Sequence, residues 1–213
     1  MTSSDVPAKT EALWAGRPLG SWATDLAGSV MRTDMPARWT HALGALRLAR
    51  TLEPVVGTDV EVLAAAAVCH DLGYHPSLHR TGYPPLDLWA HLRQLGAPDR
   101  LANLCAHTIA SRVEGDLRGH GVAYDPIPDE QTAVRDALWY CCLTVGTDGS
   151  RVRYSDRMSQ ARVRFADDPI VSQWMIDADE ALVGATLRTE ERMRALGLTE
   201  PTFGVGPGAP HTE

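Results

Sequence analysis

Apolar residues in this chain recur every three or four positions rather than every second one, the spacing of a helix face and not of a half-buried strand. The pattern predicts a first amphipathic helix over residues 19–31. A second runs from Pro36, suited to a first helical turn with Asp34 just upstream, to about residue 52. In this second helix Trp39, Ala42, Leu43, Leu46 and Ala49 share one face, while Arg38, Arg47 and Arg50 lie elsewhere. A third is predicted over residues 58–72, opened by Thr58 and Glu61 in capping-box spacing and stopped by Gly73. Its stretch 62–69 is apolar all round, the mark of a helix buried on every side. After a loop over 74–85, helices are predicted at 86–95, 98–113, 129–145, 155–165 and 169–196. A turn cluster at 146–150 precedes the last two.

The fold class that follows is all-α, one compact domain of seven to eight helices. Residues 1–18 are expected to form a flexible N-terminal segment, 19–196 the helical domain, and 197–213 a disordered tail rich in Gly and Pro. A length of 213 residues suits one domain, and 44% hydrophobic with 22% charged residues suits a globular chain with a real core. No apolar run approaches the roughly 20 residues of a membrane span, and residues 1–10 do not read as a secretory signal.

A net charge of −7 argues against a binder of duplex nucleic acid that works by phosphate neutralisation. The cations are almost all arginine, Lys9 being the one lysine. Cys69, Cys105, Cys141 and Cys142 contain no CxxC pair, so a reduced, cytoplasmic protein is expected, with any thiol role catalytic or metal-binding. The expected partner is a small-molecule substrate, with no membrane; a homodimer stays open.

The chemistry concentrates at His70-Asp71, directly after the long apolar run. A carboxylate there is costly unless it pairs with a cation or holds a metal, and both residue types are metal ligands. The alternative is an Asp71–arginine pair beside a hydrogen-bonded core histidine. His41 shares register with Ala45, Leu48 and Leu52 and so points near the packed side. His107 shares a small, polar face with Asn103, Ala110 and Ser111, suitable for lining a cleft and equally for an ordinary wet groove. His91 follows Asp87 by one turn, while His75, His79 and His120 fall in loops. Arg80 and Arg112 are candidates for gripping an anionic substrate group, because a guanidinium fork matches phosphate oxygens.

Arg38-Trp39-Thr40-His41, then Cys69-His70-Asp71-Leu72-Gly73-Tyr74, then Ala106-His107 resembles the HD-domain superfamily, all-helical metal-dependent phosphohydrolases and their relatives. The likeness is closer to small bacterial HD proteins. In these a His-Asp-x-Gly-Tyr motif precedes Thr-Gly-aromatic-His-Pro-Leu-Asp and, later, Leu-Trp-Tyr-Ala-Asp-Met-Thr-Thr-Gly-Pro-Asp-Gly. This chain reads Arg80-Thr81-Gly82-Tyr83-Pro84-Pro85-Leu86-Asp87 at the first place. At the second it reads Leu138-Trp139-Tyr140-Cys141-Cys142-Leu143-Thr144-Val145-Gly146-Thr147-Asp148-Gly149. The resemblance covers residues 39–165.

The resemblance implies one divalent transition metal held by His41, His70 and Asp71. It also implies a hydrolase for a small phosphorylated or related polar substrate, acting through a metal-activated water with His107 or Asp87 moving protons. Two positions depart from the pattern. Pro84 replaces a histidine of a second metal site and has no side-chain donor. Cys142 stands where the family has its last aspartate ligand. As a thiolate it would favour zinc or iron; otherwise Cys141 and Cys142 fill a buried helix surface, with manganese, nickel or cobalt also admissible. The alternative functions are a diverged HD metalloenzyme (a hydratase, lyase or iron oxygenase) and a non-catalytic binding protein with a degenerate metal site.

Overall fold

In the computed structural model, which describes residues 16–198, the chain forms twelve α-helical segments and no strand; Val145 and Arg151 make one isolated bridge. They are α1 (Leu19–Asp34), α2 (Pro36–Thr51), α3 (Glu53–Val56), α4 (Val60–Cys69), α5 (Pro84–Gln94), α6 (Asp99–Ala106), α7 (Ser111–Leu117), α8 (Gly121–Tyr124), α9 (Ala133–Leu143), α10 (Tyr154–Arg164), α11 (Pro169–Asp177) and α12 (Asp179–Ala195). The fold is all-α, as its periodicity predicts. No helix among the described residues is long and apolar enough to cross a membrane. The expected N-terminal segment and tail lie, apart from residues 16–18 and 197–198, outside the described residues.

The all-apolar run lies at the centre. Every residue from Leu63 to Cys69 is fully buried, and α4 packs against α1, α2, α6 and α9. Its start differs from the capping box expected at Thr58 and Glu61. The helix begins at Val60 after a 3-10 turn and has no side-chain cap. Glu61 instead accepts the Gly20 N–H at the start of α1 (2.9 Å) and a hydrogen bond from Arg50 near the end of α2 (2.9 Å). One carboxylate thus satisfies an orphan donor at another helix's N-terminus.

Two predicted helices are each broken in two, which raises the count. The stretch 98–113 stops at Ala106, because side chains from elsewhere claim the last carbonyls. Trp139 Nε1 donates to the His107 carbonyl at 2.9 Å, and the Tyr124 hydroxyl to that of Ala106 at 3.0 Å. Ile109 and Ala110 then take left-handed backbone angles (φ 44° and 54°), a strain on the order of 1–3 kcal/mol per residue for side chains with a Cβ. The stretch 169–196 divides at Ala178, which is fully buried.

Gly73 does not stop a helix, since α4 ends at Cys69 and Gly73 lies in a following 3-10 turn. It is small because a Cβ there would lie 2.0 Å from the Pro84 carbonyl oxygen, where the start of α5 closes over the turn. Gly44 serves the same purpose on α2. A Cβ would meet Val145 at 2.6 Å and the Gly149 carbonyl at 2.7 Å, so its absence lets the loop after α9 lie flat against α2. A buried carboxylate paired with two partly exposed arginines holds α12 to α9. Asp136 accepts from Arg188 (2.9 and 2.7 Å) and Arg192 (2.8 Å).

Gly73→Ala should destabilise the protein by about 3 kcal/mol, the upper part of the range for overpacking against backbone. Urea unfolding midpoints at an unchanged slope measure it, and a variant as stable as the parent would show that the turn and α5 can move apart freely.

Candidate metal centre

Three of the residues picked out by sequence converge. The candidate ligand atoms of His41, His70 and Asp71 all lie within 4.8 Å of one another, and the two imidazole centroids are 5.1 Å apart at 72°. His41 comes from α2, and His70-Asp71 directly follow α4, so the cluster sits where the central buried helix ends. They occupy the floor of a cavity of about 510 Å³.

Backbone carbonyls set both imidazoles. His41 Nδ1 lies 3.2 Å from the Gly146 carbonyl and His70 Nδ1 2.8 Å from that of Ala67. A carbonyl only accepts, so each Nδ1 carries a proton and Nε2 is the nitrogen left to face a metal, the arrangement that outer-shell carbonyls impose on metal-binding histidines. The His41 contact depends on Gly44, which allows the 146–149 loop to approach. Burial, then the neighbouring His70, lower the His41 pKa from 6.5 to about 4, so the ring is neutral at physiological pH.

Asp71 Oδ1 lies 3.0 Å from Arg38 Nη1 and 3.7 Å from His70 Nε2. Burial opposes its ionisation most, yet His70, Arg38 and His41 together hold its pKa below the usual carboxylate value. The Arg38 guanidinium also stacks on the Tyr74 ring, 3.5 Å from its centroid. The ion pair and the candidate metal site, set against each other on sequence, therefore coexist at one carboxylate.

Cys142 lines the same cavity from α9 but stands outside the three-residue cluster. Burial first, then Cys141 and Asp71, push its thiol well above the ordinary range, so it is protonated as the chain stands.

The structure does not bring the other candidates to the cluster. His107 is buried with Nε2 3.0 Å from the Ile127 carbonyl and its ring against Tyr124, outside the cavity, because α6 ends there instead of continuing as a cleft-lining helix. Asp87 is fully buried, and its Oδ1 accepts from the Thr81 N–H (2.7 Å) and hydroxyl (2.8 Å), closing the loop before α5. Arg80 donates to Gln94, and Arg112 pairs with Asp125, both on the surface. In the loop after α9, Asp148, the acid nearest Cys142 in sequence, accepts from Ser150 within its own turn.

The cations that do face the cavity are Arg38, Arg118, Arg157 and Arg164. Arg118 is engaged by Glu114 (2.7 Å) and Asp168 (3.3 Å). Arg157 makes no side-chain ion pair or hydrogen bond within 4 Å among the described residues. It feels Asp71 electrostatically, and burial lowers its pKa. Arg157, Ala161 and Arg164 repeat at i, i+4 and i+7 on α10, a stripe whose helical period is visible in the sequence.

Residues 38–137 match the family model described as HD domain, a span that contains His41, His70 and Asp71 and ends before Cys142. The chain has no significant match among curated proteins or among solved structures.

The His41 shift has a sign that can be measured on the metal-free chain. The unfolded chain takes up a proton near 6.5 that the folded one refuses until about 4. This contribution to stability is therefore complete above pH 6.5 and is lost as pH falls towards 4, by about 3 kcal/mol. Urea unfolding at pH 7 and pH 4 should show a smaller acid loss in His41→Asn than in the parent; equal losses would contradict the buried neutral imidazole.

Proposed function

Residues 38–137 make this chain a member of the HD-domain superfamily, a class in which metal-dependent hydrolases are common, and we propose that it is itself a metal-dependent phosphomonoesterase for a small molecule. The observation that carries this reading is the pair of buried imidazoles, both with Nδ1 committed to backbone, grouped with Asp71 on a cavity floor. Two imidazole nitrogens and one carboxylate suit a divalent transition ion, and three protein ligands leave positions for substrate and water.

His41, His70 and Asp71 would hold the ion. When bound, it would polarise a phosphoryl oxygen and lower the pKa of water at the site. The chain's own residues do the remaining work. Arg157, with no carboxylate within 4 Å among the described residues, orients the substrate's phosphoryl group over the cluster. Arg38 holds Asp71 ionised and, stacked on Tyr74, keeps its direction. In this reading Cys142 packs against the site as a thiol rather than completing it.

Release of inorganic phosphate from a panel of monoesters, with elemental analysis of the purified chain, tests the proposal. Activity should require a divalent transition ion and be removed by chelation. His70→Ala and Asp71→Asn should each lower kcat/KM by at least about 100-fold, the scale of losing a metal ligand. Cys142→Ser should retain one ion per chain. A parent chain that binds no divalent ion and releases no phosphate would sink the reading, and a Cys142→Ser chain that loses the ion would restore Cys142 as a ligand.

A further inference from the structure

The cavity is too large for a phosphate alone. Its polar floor comes from α2, the end of α4 and Arg157, but another part of its lining is hydrophobic. On α11, Val171, Trp174 and Met175 stand at i, i+3 and i+4 and so share a face, each at most 9% exposed. Phe165, just after α10, adds an aromatic side chain that remains 38% exposed. Ile109 joins them from a backbone of positive φ, a conformation that a β-branched residue adopts only under constraint. A volume of about 510 Å³ falls within the range of sites that enclose a whole small organic molecule.

We propose that the ligand of this cavity is amphipathic: an anionic head held by Arg157 beside the His41–His70–Asp71 cluster, joined to an apolar alkyl or aromatic body that packs on Phe165, Ile109 and the inner face of α11. The inference deepens the phosphomonoesterase reading by naming its substrate class, and it rests on that reading for the identity of the head group. A compact polar phosphate ester leaves the apolar wall wet, whereas each buried methylene of a longer body is withdrawn from water. Specificity then resides on α10 and α11, outside the ligand cluster, and Phe165 is its most accessible determinant.

The test is calorimetric titration of the full chain, loaded with manganese(II), with methyl-, propyl- and hexylphosphonate, which cannot be hydrolysed. Affinity should rise by up to about fourfold per methylene, the ratio for moving one CH₂ out of water. Phe165→Ser, a change outside the buried core, should flatten this dependence. Arg157→Ala should weaken all three ligands by a similar factor of about tenfold and leave the dependence on length intact. Equal affinity for methyl- and hexylphosphonate would overturn the proposal, as would a Phe165→Ser chain with an undiminished dependence. The two readings fail separately. Tight hexylphosphonate binding without turnover of any monoester would remove the phosphatase and leave the amphipathic site. Turnover of methyl phosphate as efficient as that of hexyl phosphate would do the reverse.

Discussion

The burial of α4 is the constraint on which the rest depends. A helix with apolar side chains on every face has no side to offer water, so other helices must cover it all round, and α1, α2, α6 and α9 do so. Polar groups can follow such a helix only where it ends. His70 and Asp71 stand at that end, and their desolvation is offset by specific partners: Ala67 for one, Arg38 and the two imidazoles for the other. His41 reaches them because α2 is one of the covering helices. The site is the place where the core runs out.

The same logic explains why small residues matter near the cluster. Gly44 and Gly73 carry no ligand, yet each removes a methyl group that would push a loop away. At Gly44 the loop brings the carbonyl that orients His41, so side-chain volume on α2 is converted into proton position on an imidazole. The hydroxyl of Tyr83, donated to the Ser111 carbonyl at 2.6 Å, ties the segment ahead of α5 to the start of α7 on another side of the cavity.

Much of the fold was legible because the signals were local. Three-and-four periodicity gave the helices, and the unbroken apolar run identified the central one. His70-Asp71 stood out as an expensive pair in an apolar setting, and His41 joined it through a resemblance carried by ordered motifs. What escaped depends on distant partners. Nothing near His107 announces that Trp139 and Tyr124 will take the carbonyls that would have continued the helix, turning a cleft-facing histidine into a buried one. Asp87 looked chemically available until the backbone of Thr81 claimed it. The arginine pair on α10 could have been found by period, but a net acidic chain with twenty cations among its residues gives no local reason to prefer Arg157 over Arg80 or Arg112.

The Arg50–Glu61 pair lies at the surface, where such a contact adds little to stability. Its position says more than its strength. Arg50 follows His41 by nine residues along α2, and His70 follows Glu61 by nine along α4, so each helix advances about 13.5 Å between the two contacts. The chain reverses direction between them, which makes the helices the two rails of a ladder with one ionic rung and one imidazole rung. Sliding either rail by a residue would misalign both rungs together. A contact at the far end of the helix pair thus acts as a register stop for the metal-binding end, a geometric role that no ledger of interaction energies would reveal.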